Sequence, residues 1–201
     1  MSLLISTWIK FFFLFAPFFV LSMFIALTRG ESKASRNLIA RKALIASVAI
    51  SLVLLFFGGD LFEVLGITLD SFRIGSGILL LMSAISLVTD GTRQHVTNIP
   101  MGERDDVSVV PLAVPYIIGP ATIGTILVYG AELEGWDMLI GICGMLLALA
   151  CLGAILFTAN IIESLLGRTG LNILSKITGL VLSAMAAQIL MSGVMGFLGS
   201  V

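Results

Sequence analysis

The chain alternates between long apolar runs and short polar clusters. A helix needs about 20 apolar residues to cross roughly 30 Å of hydrocarbon. Six runs of about that length cover residues 9–28, 43–57, 71–89, 108–129, 138–160 and 177–198. They lack the alternating pattern of membrane barrel strands, and backbone groups in lipid need partners within a helix or a closed barrel. The pattern therefore predicts an all-α membrane protein with six transmembrane helices.

Composition supports a lipid environment. Apolar residues make up 58% of the 201 positions and charged residues 11%, and the mean hydropathy is +1.13. This is more apolar surface than one water-soluble core could hide. The net charge of -1 also excludes the broad basic surface that phosphate-backbone binding requires, so we expect no nucleic-acid partner.

Residues for catalysis or metal binding are scarce. The single histidine, His95, has no cysteine or second histidine close by in the sequence, and the chain has no phosphate-binding glycine loop. Cys143 and Cys151 share one apolar run and would lie roughly 12 Å apart along a helix, beyond disulfide reach. We therefore expect no enzymatic activity, no cofactor and no bound metal.

The basic residues predict how the chain crosses the membrane. The linker between the first two runs is strongly basic, whereas the next linker is acidic, so the positive-inside rule places the first linker in the cytoplasm. Successive connections between spans lie on alternate sides of the membrane. Nine of the eleven Lys and Arg residues are then inside and both termini outside. The basic linker residues are Arg29, Lys33, Arg36, Arg41 and Lys42.

The two halves of the chain are related by a shift of 103 residues. The shift pairs Pro17 with Pro120 and Arg73 with Lys176, and it continues through three runs without a gap. Shared apolar composition is the alternative explanation, but a constant offset favours duplication. Three crossings per copy would place the copies in opposite orientations, a plan common among secondary transporters. We predict one integral membrane domain (1–201), comprising repeat A (1–92), a linker (93–107) and repeat B (108–201).

The fourth run contains Pro111, Pro115 and Pro120, which together remove three amide donors. A regular helix is not expected there. Freed carbonyls, and amides at the start of a half-helix, suit the charged ends of a small zwitterionic or anionic solute. The alternative is a kink patched by neighbouring hydroxyls, but the symmetric pair Pro17 and Pro120 favours a functional break of the helix in both copies. The candidate substrate-binding residues are Pro17, Ser22, Pro115, Gly119, Pro120, Thr122, Thr125 and Gln188.

Other polar and small residues have mainly structural interpretations. Arg73 and Glu163 are interpreted as interfacial residues whose charged ends reach towards water. Asn160 is another polar group near the membrane interior. Small residues in the third, fifth and sixth runs are predicted to allow close helix packing. They are Gly75, Gly77, Gly141, Gly144, Ala148 and Gly179.

Three segments resemble the MarC family of bacterial inner-membrane proteins. The most specific is P-L-A-V-P-Y-I-I-G-P-A-T-I at 111–123, and the others are S-F-R-I-G-S-G-I-L-L at 71–80 and S-K-I-T-G-L-V-L-S-A-M-A-A-Q at 175–188. The resemblance implies six spans with an inverted repeat in the bacterial inner membrane, so the termini that the charge pattern places outside would lie in the periplasm. Some relatives are similar to small neutral amino-acid transporters, and the plan is similar to that of exporters of the LysE type.

The first run departs from that family, in which Asn-Pro is commonly followed by Gly-Asn-x-Pro. Here Ala16 and Pro17 are followed by an apolar stretch, which favours a more hydrophobic solute. Our hypothesis is a secondary transporter or exporter of small solutes, with small neutral amino acids as the leading guess. The alternative is a non-transporting membrane scaffold or accessory protein. The expected partners are the lipid bilayer and a solute, with a coupling ion and homo-oligomer formation left open.

Overall fold

The computed structural model describes residues 2–89, 108–133 and 135–199, and these ranges are helical almost throughout, without strands. The all-α prediction is confirmed. The predicted linker 93–107 and His95 lie outside the described residues. The helices are α1 (Ser2–Leu14), α2 (Pro17–Leu27), α3 (Lys33–Leu65), α4 (Leu69–Thr89), α5 (Ser108–Ile117), α6 (Pro120–Glu132), α7 (Gly135–Phe157) and α8 (Ala159–Gly199).

Five helical segments in the described ranges are long and apolar enough to cross a membrane. They are Leu3–Leu27, Lys33–Gly58, Leu69–Thr89, Gly135–Phe157 and Ala159–Gly199. Each coincides with one predicted span. The predicted fourth span, 108–129, instead consists of two short pieces, α5 and α6, so the sixth crossing stays a prediction.

The first span is interrupted between α1 and α2. Ala16 adopts a left-handed conformation, with φ of 43° and ψ of 59°, which L-residues other than glycine seldom adopt. Pro17 follows as the first residue of α2, a position that suits proline because the amide of a first-turn residue has no partner in its own helix. The single apolar run therefore folds as two short helices.

The proline-rich stretch is also irregular, as the sequence predicted. α5 is a π-helix, and its last regular contact is the amide of Ile118, which donates to the carbonyl of Ala113 at 2.8 Å. Gly119 is extended, with φ of -84° and ψ of 173°, and Pro120 begins α6. The prolines explain the wide turns, because each removes an amide from the regular helical ladder.

The boundary between the fifth and sixth predicted spans was placed wrongly. α7 ends at Phe157, so Asn160 lies in α8 rather than at the end of the fifth span. The segment around Arg168, which lies between the fifth and sixth predicted spans, is helical. Gly167 lies just before it with φ of 60° and ψ of 177°, which glycine tolerates without steric cost. The chain thus changes direction within α8.

Small residues bring the helices together as predicted at several positions. An added Cβ at Gly77 in α4 would lie 2.9 Å from the backbone nitrogen and Cβ of Leu190 in α8, and one at Gly179 would lie 2.9 Å from the Ala84 carbonyl. The α4–α8 contact is the most extensive in the described fold. The packing prediction is wrong for Gly75, because that position is exposed and nothing lies within 4 Å of an added Cβ there.

The interrupted helices form the interior of the bundle. In the apolar window of Leu3–Leu27, 56% of residues are buried, against 17% for the window in α8. α6 lies between α3 and α4, while α1 packs on α7 and α2 packs on α8. Large apolar side chains of α3, α4, α7 and α8 point outward, where lipid would cover them. At the second interruption Ile117 and Ile118 are buried, whereas Pro115 and Pro120 are exposed, so protein encloses this irregular backbone only in part.

Candidate functional site: a charged cavity beside the helix interruptions

A cavity of about 130 Å³ lies where α1, α4, α6 and α8 meet. Its lining combines apolar side chains with hydroxyl, amide and charged groups, a composition typical of small-molecule sites. The lining residues are Lys10, Phe11, Leu14, Arg73, Thr125, Val128, Tyr129, Glu132, Met185, Gln188, Ile189 and Ser192. The size suits a small solute rather than a large one.

An ionic cluster lies on one side of this cavity. The Nη1 of Arg73 donates to Asp70 Oδ1 at 2.6 Å. Its Nε and Nη2 both donate to Oε1 of Glu132, at 3.0 and 2.8 Å. The side chains of Arg73 and Glu132 are 22% and 35% exposed, so the cluster remains in contact with solvent. Arg73 was interpreted as a lone interfacial residue. Instead it joins α4 to α6 because Glu132 is placed opposite it by the fold.

A second cation approaches from α1. The Nζ of Lys10 lies 5.6 Å from the ring centre of Tyr129, within the range of a cation–π interaction. The Tyr129 ring also contacts Phe11 edge-on at 5.2 Å, and its hydroxyl lies 3.4 Å from Oγ1 of Thr7. Tyr129 therefore positions Lys10 at the cavity.

Sequence reasoning missed Lys10, Arg73 and Glu132 as parts of a site. A signal was available for the two cations. They are the two basic residues that the charge pattern leaves outside the cytoplasmic segments. A cation that breaks the positive-inside pattern is expensive to keep near lipid and often marks a function. Glu132 carries no comparable signal, because it lies in an acidic loop region.

Two of the eight candidate site residues line the cavity: Thr125 and Gln188. The hydroxyl of Thr125 donates to the carbonyl of Ala121 at 2.9 Å, which leaves its oxygen able to accept a hydrogen bond. Ser22 lies elsewhere, and its hydroxyl donates to the Phe18 carbonyl at 2.9 Å. The remaining candidates do not line this cavity. They are Pro17, Pro115, Gly119, Pro120 and Thr122.

The two interruptions nevertheless lie close together. The ring of Phe19, in the first turn of α2, meets that of Tyr116, near the end of α5, with centres 6.0 Å apart. At the second interruption the chain is tightly folded, because an added Cβ at Gly119 would lie 2.9 Å from the Pro115 carbonyl oxygen. The structure therefore brings an aromatic side chain near each interruption into contact, although not at the cavity.

The opposite end of the bundle is closed by another polar contact. Nη1 of Arg36 in α3 donates to the side-chain oxygen of Asn160 in α8. The Arg36 guanidinium also lies 5.5 Å from the ring centre of Phe24 in α2. The space beside them is only about 10 Å³, about enough for one water molecule. Among the described residues, the space at this end is therefore much smaller than the cavity beside Arg73.

These features define a polytopic α-helical integral membrane protein with interrupted helices in its interior. The chain belongs to the MarC family of integral membrane proteins, whose family model matches residues 1–198. The sequence resemblance is therefore confirmed over almost the whole chain.

Relatives come from distant organisms. The UPF0056 membrane protein MJ1677 of Methanocaldococcus jannaschii is 34% identical over 90% of this chain and 91% of its own length. The UPF0056 membrane protein YhcE of Escherichia coli is 30% identical over 90% and 86%, respectively. The UPF0056 membrane protein YvbG of Bacillus subtilis is 30% identical over 97% and 95%. No solved structure matches the chain significantly.

Proposed function

We propose that this protein is a secondary transporter or exporter of small solutes that works by alternating access between two inverted halves. The observation that carries the proposal is the cavity, because α1 and α4 from the first half and α6 and α8 from the second half all line it. A site shared by two halves changes its exposure when one half rocks against the other.

The packing supports two equivalent halves. With the shift of 103 residues, α1 corresponds to α5, α2 to α6, α3 to α7 and α4 to α8. α1 packs on α7, and its counterpart α5 packs on α3; likewise α2 packs on α8 as α6 packs on α4. The first hydrogen bonds after the interruptions also correspond, from Val20 to Ala16 and from Ile123 to Gly119.

The cavity chemistry favours a small neutral amino acid. Lys10 or Arg73 can meet a carboxylate, and Glu132 can meet an ammonium group. Phe11 and Leu14 offer an apolar surface for a small side chain. Because the ionic cluster lies near the loop between α3 and α4, which the charge pattern places outside, this arrangement corresponds to an outward-facing state.

The same proposal covers the cellular setting. We place the protein in the bacterial inner membrane with both termini in the periplasm, because this orientation keeps the basic linker between α2 and α3 in the cytoplasm. Its partners are then the lipid bilayer and the solute, without nucleic acid, cofactor or enzymatic chemistry. A coupling ion and a homo-oligomer are compatible with this arrangement.

A non-transporting scaffold or accessory protein is the second candidate. It is favoured by the start of α2, where Phe19, Val20 and Leu21 are all buried in the core. They supply no side-chain hydrogen bonds to a solute at the first interruption. A scaffold would retain the fold and show no solute-dependent behaviour.

The test is uptake of radiolabelled small neutral amino acids into proteoliposomes that contain the purified full chain. Thr125→Val keeps the side-chain shape and removes one hydroxyl, so we expect KM to rise roughly 2- to 10-fold, as for one lost hydrogen bond. Thr178→Val is the matched control, since Thr178 is buried and its hydroxyl donates to Leu174 away from the cavity. Absence of uptake for every solute would favour the scaffold.

A further inference from the structure

Two buried hydroxyl groups of α3 lack partners. Ser47 and Ser51 are both 0% exposed, and neither Oγ has a hydrogen-bond partner among the residues that the structure describes. Other helical hydroxyls in this bundle donate to a carbonyl one turn earlier, such as Ser175 to Leu171 at 2.9 Å and Thr125 to Ala121 at 2.9 Å. The two serines of α3 are therefore exceptions that need an explanation, because buried polar groups are normally paired.

Ser47 and Ser51 belong to a buried stripe along one face of α3. Ala43, Ser47, Ser51 and Leu55 follow one another at helical spacing and are all 0% exposed. Further along this stripe, an added Cβ at Gly58 would lie 2.6 Å from the carbonyl oxygen of Leu127 in α6. α5 also packs on α3. On α3 the serines therefore lie between a contact with α7, where an added Cβ at Gly153 would lie 3.0 Å from Leu44, and the contact with α6 at Gly58.

The end of α5, a helix that packs on α3, offers unpaired carbonyl oxygens. The last four carbonyls of a helix have no partner within it, and after α5 the proline at position 120 has no amide to offer. Within the described part of the chain, no hydrogen bond reaches the carbonyls of Val114, Tyr116 and Ile117. The end of a helix also carries partial negative charge. A cation would be stabilised there, whereas an anion would not.

We propose that Ser47 and Ser51, together with carbonyl oxygens at the end of α5, bind a monovalent alkali cation such as Na⁺. Residues four apart on a helix have Cβ atoms about 5–6 Å apart, so two hydroxyl oxygens can converge on one ion. Neither α5 nor the buried stripe of α3 contains a carboxylate, and divalent cations prefer such charged ligands. Interrupted-helix carbonyls bind Na⁺ in other transporters. The role of this ion in coupling rests on the proposed transport function, but its binding does not.

The test compares melting temperatures of the detergent-purified full chain in NaCl, KCl and N-methyl-D-glucamine chloride at equal ionic strength. At an ion concentration ten times the Kd, an alkali cation should raise the Tm of the wild type by roughly 3–6 °C. The double variant Ser47→Ala/Ser51→Ala should show no such rise in Tm. Each single variant should show a smaller rise than the wild type. Ser175→Ala, which removes a buried but paired hydroxyl, should keep it.

Melting in N-methyl-D-glucamine chloride distinguishes cation binding from an ordinary packing role of the two serines. There the double variant should melt at or above the wild-type temperature, because it removes two unpaired buried hydroxyls. The proposal is overturned if the wild type shows no alkali response, if the double variant keeps the response, or if the variant is equally destabilised in all three salts. The last result would mean that the hydroxyls bond directly to α5.

Solute uptake in the same salts distinguishes this proposal from the transport function. Uptake without any alkali-dependent Tm shift would overturn the ion site and leave the transporter intact. An alkali-dependent shift that requires both serines, in a protein without uptake of any solute, would support the ion site and remove its coupling role.

Discussion

Replacing Gly77 with alanine should destabilise the bundle at its largest helix contact. An added Cβ would lie 2.9 Å from both the Cβ and the backbone nitrogen of Leu190, and 3.1 Å from its Cα. Two of these atoms belong to the backbone, so a side-chain rotation cannot relieve the contact and α4 must shift away from α8. Overpacking of this kind typically costs about 1–3 kcal/mol.

Gly75 gives a matched control in the same helix, two residues away. An added Cβ there meets nothing within 4 Å, so Gly75→Ala should change only helix propensity, which favours alanine by about 1 kcal/mol in a helix interior. The same gain applies to Gly77→Ala and offsets part of its cost. The difference between the two variants therefore isolates the contact with Leu190 and should be about 1–3 kcal/mol.

The assay is thermal unfolding of both variants in one detergent, followed by intrinsic fluorescence. Each kcal/mol shifts the Tm of a chain of this size by roughly 2–4 °C, so Gly77→Ala should melt about 2–12 °C below Gly75→Ala. Equal melting temperatures would show that α4 and α8 do not approach as closely as described here.

Two further changes test the site. Glu132→Gln should lower stability by less than about 1 kcal/mol, because the pair with Arg73 is partly exposed. It should also speed alkylation of Thr125→Cys, in a background lacking Cys143 and Cys151, because Thr125 is buried and lines the cavity, and the change weakens the link between α4 and α6 beside it. An unchanged rate would show that this link does not restrict access to the cavity. Gly119→Ala should reduce solute uptake while preserving membrane insertion, because its Cβ would lie 2.9 Å from the Pro115 oxygen. Uptake at the wild-type rate would show that this interruption tolerates movement.

Features with a local cause could be predicted from the sequence. Apolar length determined where the helices lie, since hydrocarbon thickness sets the number of residues per crossing. Prolines located both interruptions, because a missing amide acts on the neighbouring turn wherever the chain folds. The change of direction at Gly167 was not predicted, because glycine permits a positive φ but does not require it.

The structure brings two of the eight candidate site residues to the cavity. Thr125 was chosen because it follows the prolines at helical spacing, and Gln188 as a polar group near the membrane interior; both line the cavity. Ser22 was chosen by the same rule as Thr125, and each hydroxyl donates to a carbonyl of its own helix, but Ser22 does not line the cavity. Polarity and spacing do not say which face of a helix meets a cavity.

The sequence alone determined the membrane environment, the helical class, the symmetric prolines and the family resemblance, because each depends on residues close together in the chain or on its composition. Only the tertiary structure decided that Lys10, Arg73 and Glu132 share one cavity and that Ser47 and Ser51 are buried without partners among the described residues. These groups lie on different helices, and their separation in space depends on how the helices cross. How the helices cross depends on small residues that allow close contact with residues distant in the chain, such as Gly77 with Leu190 in α8.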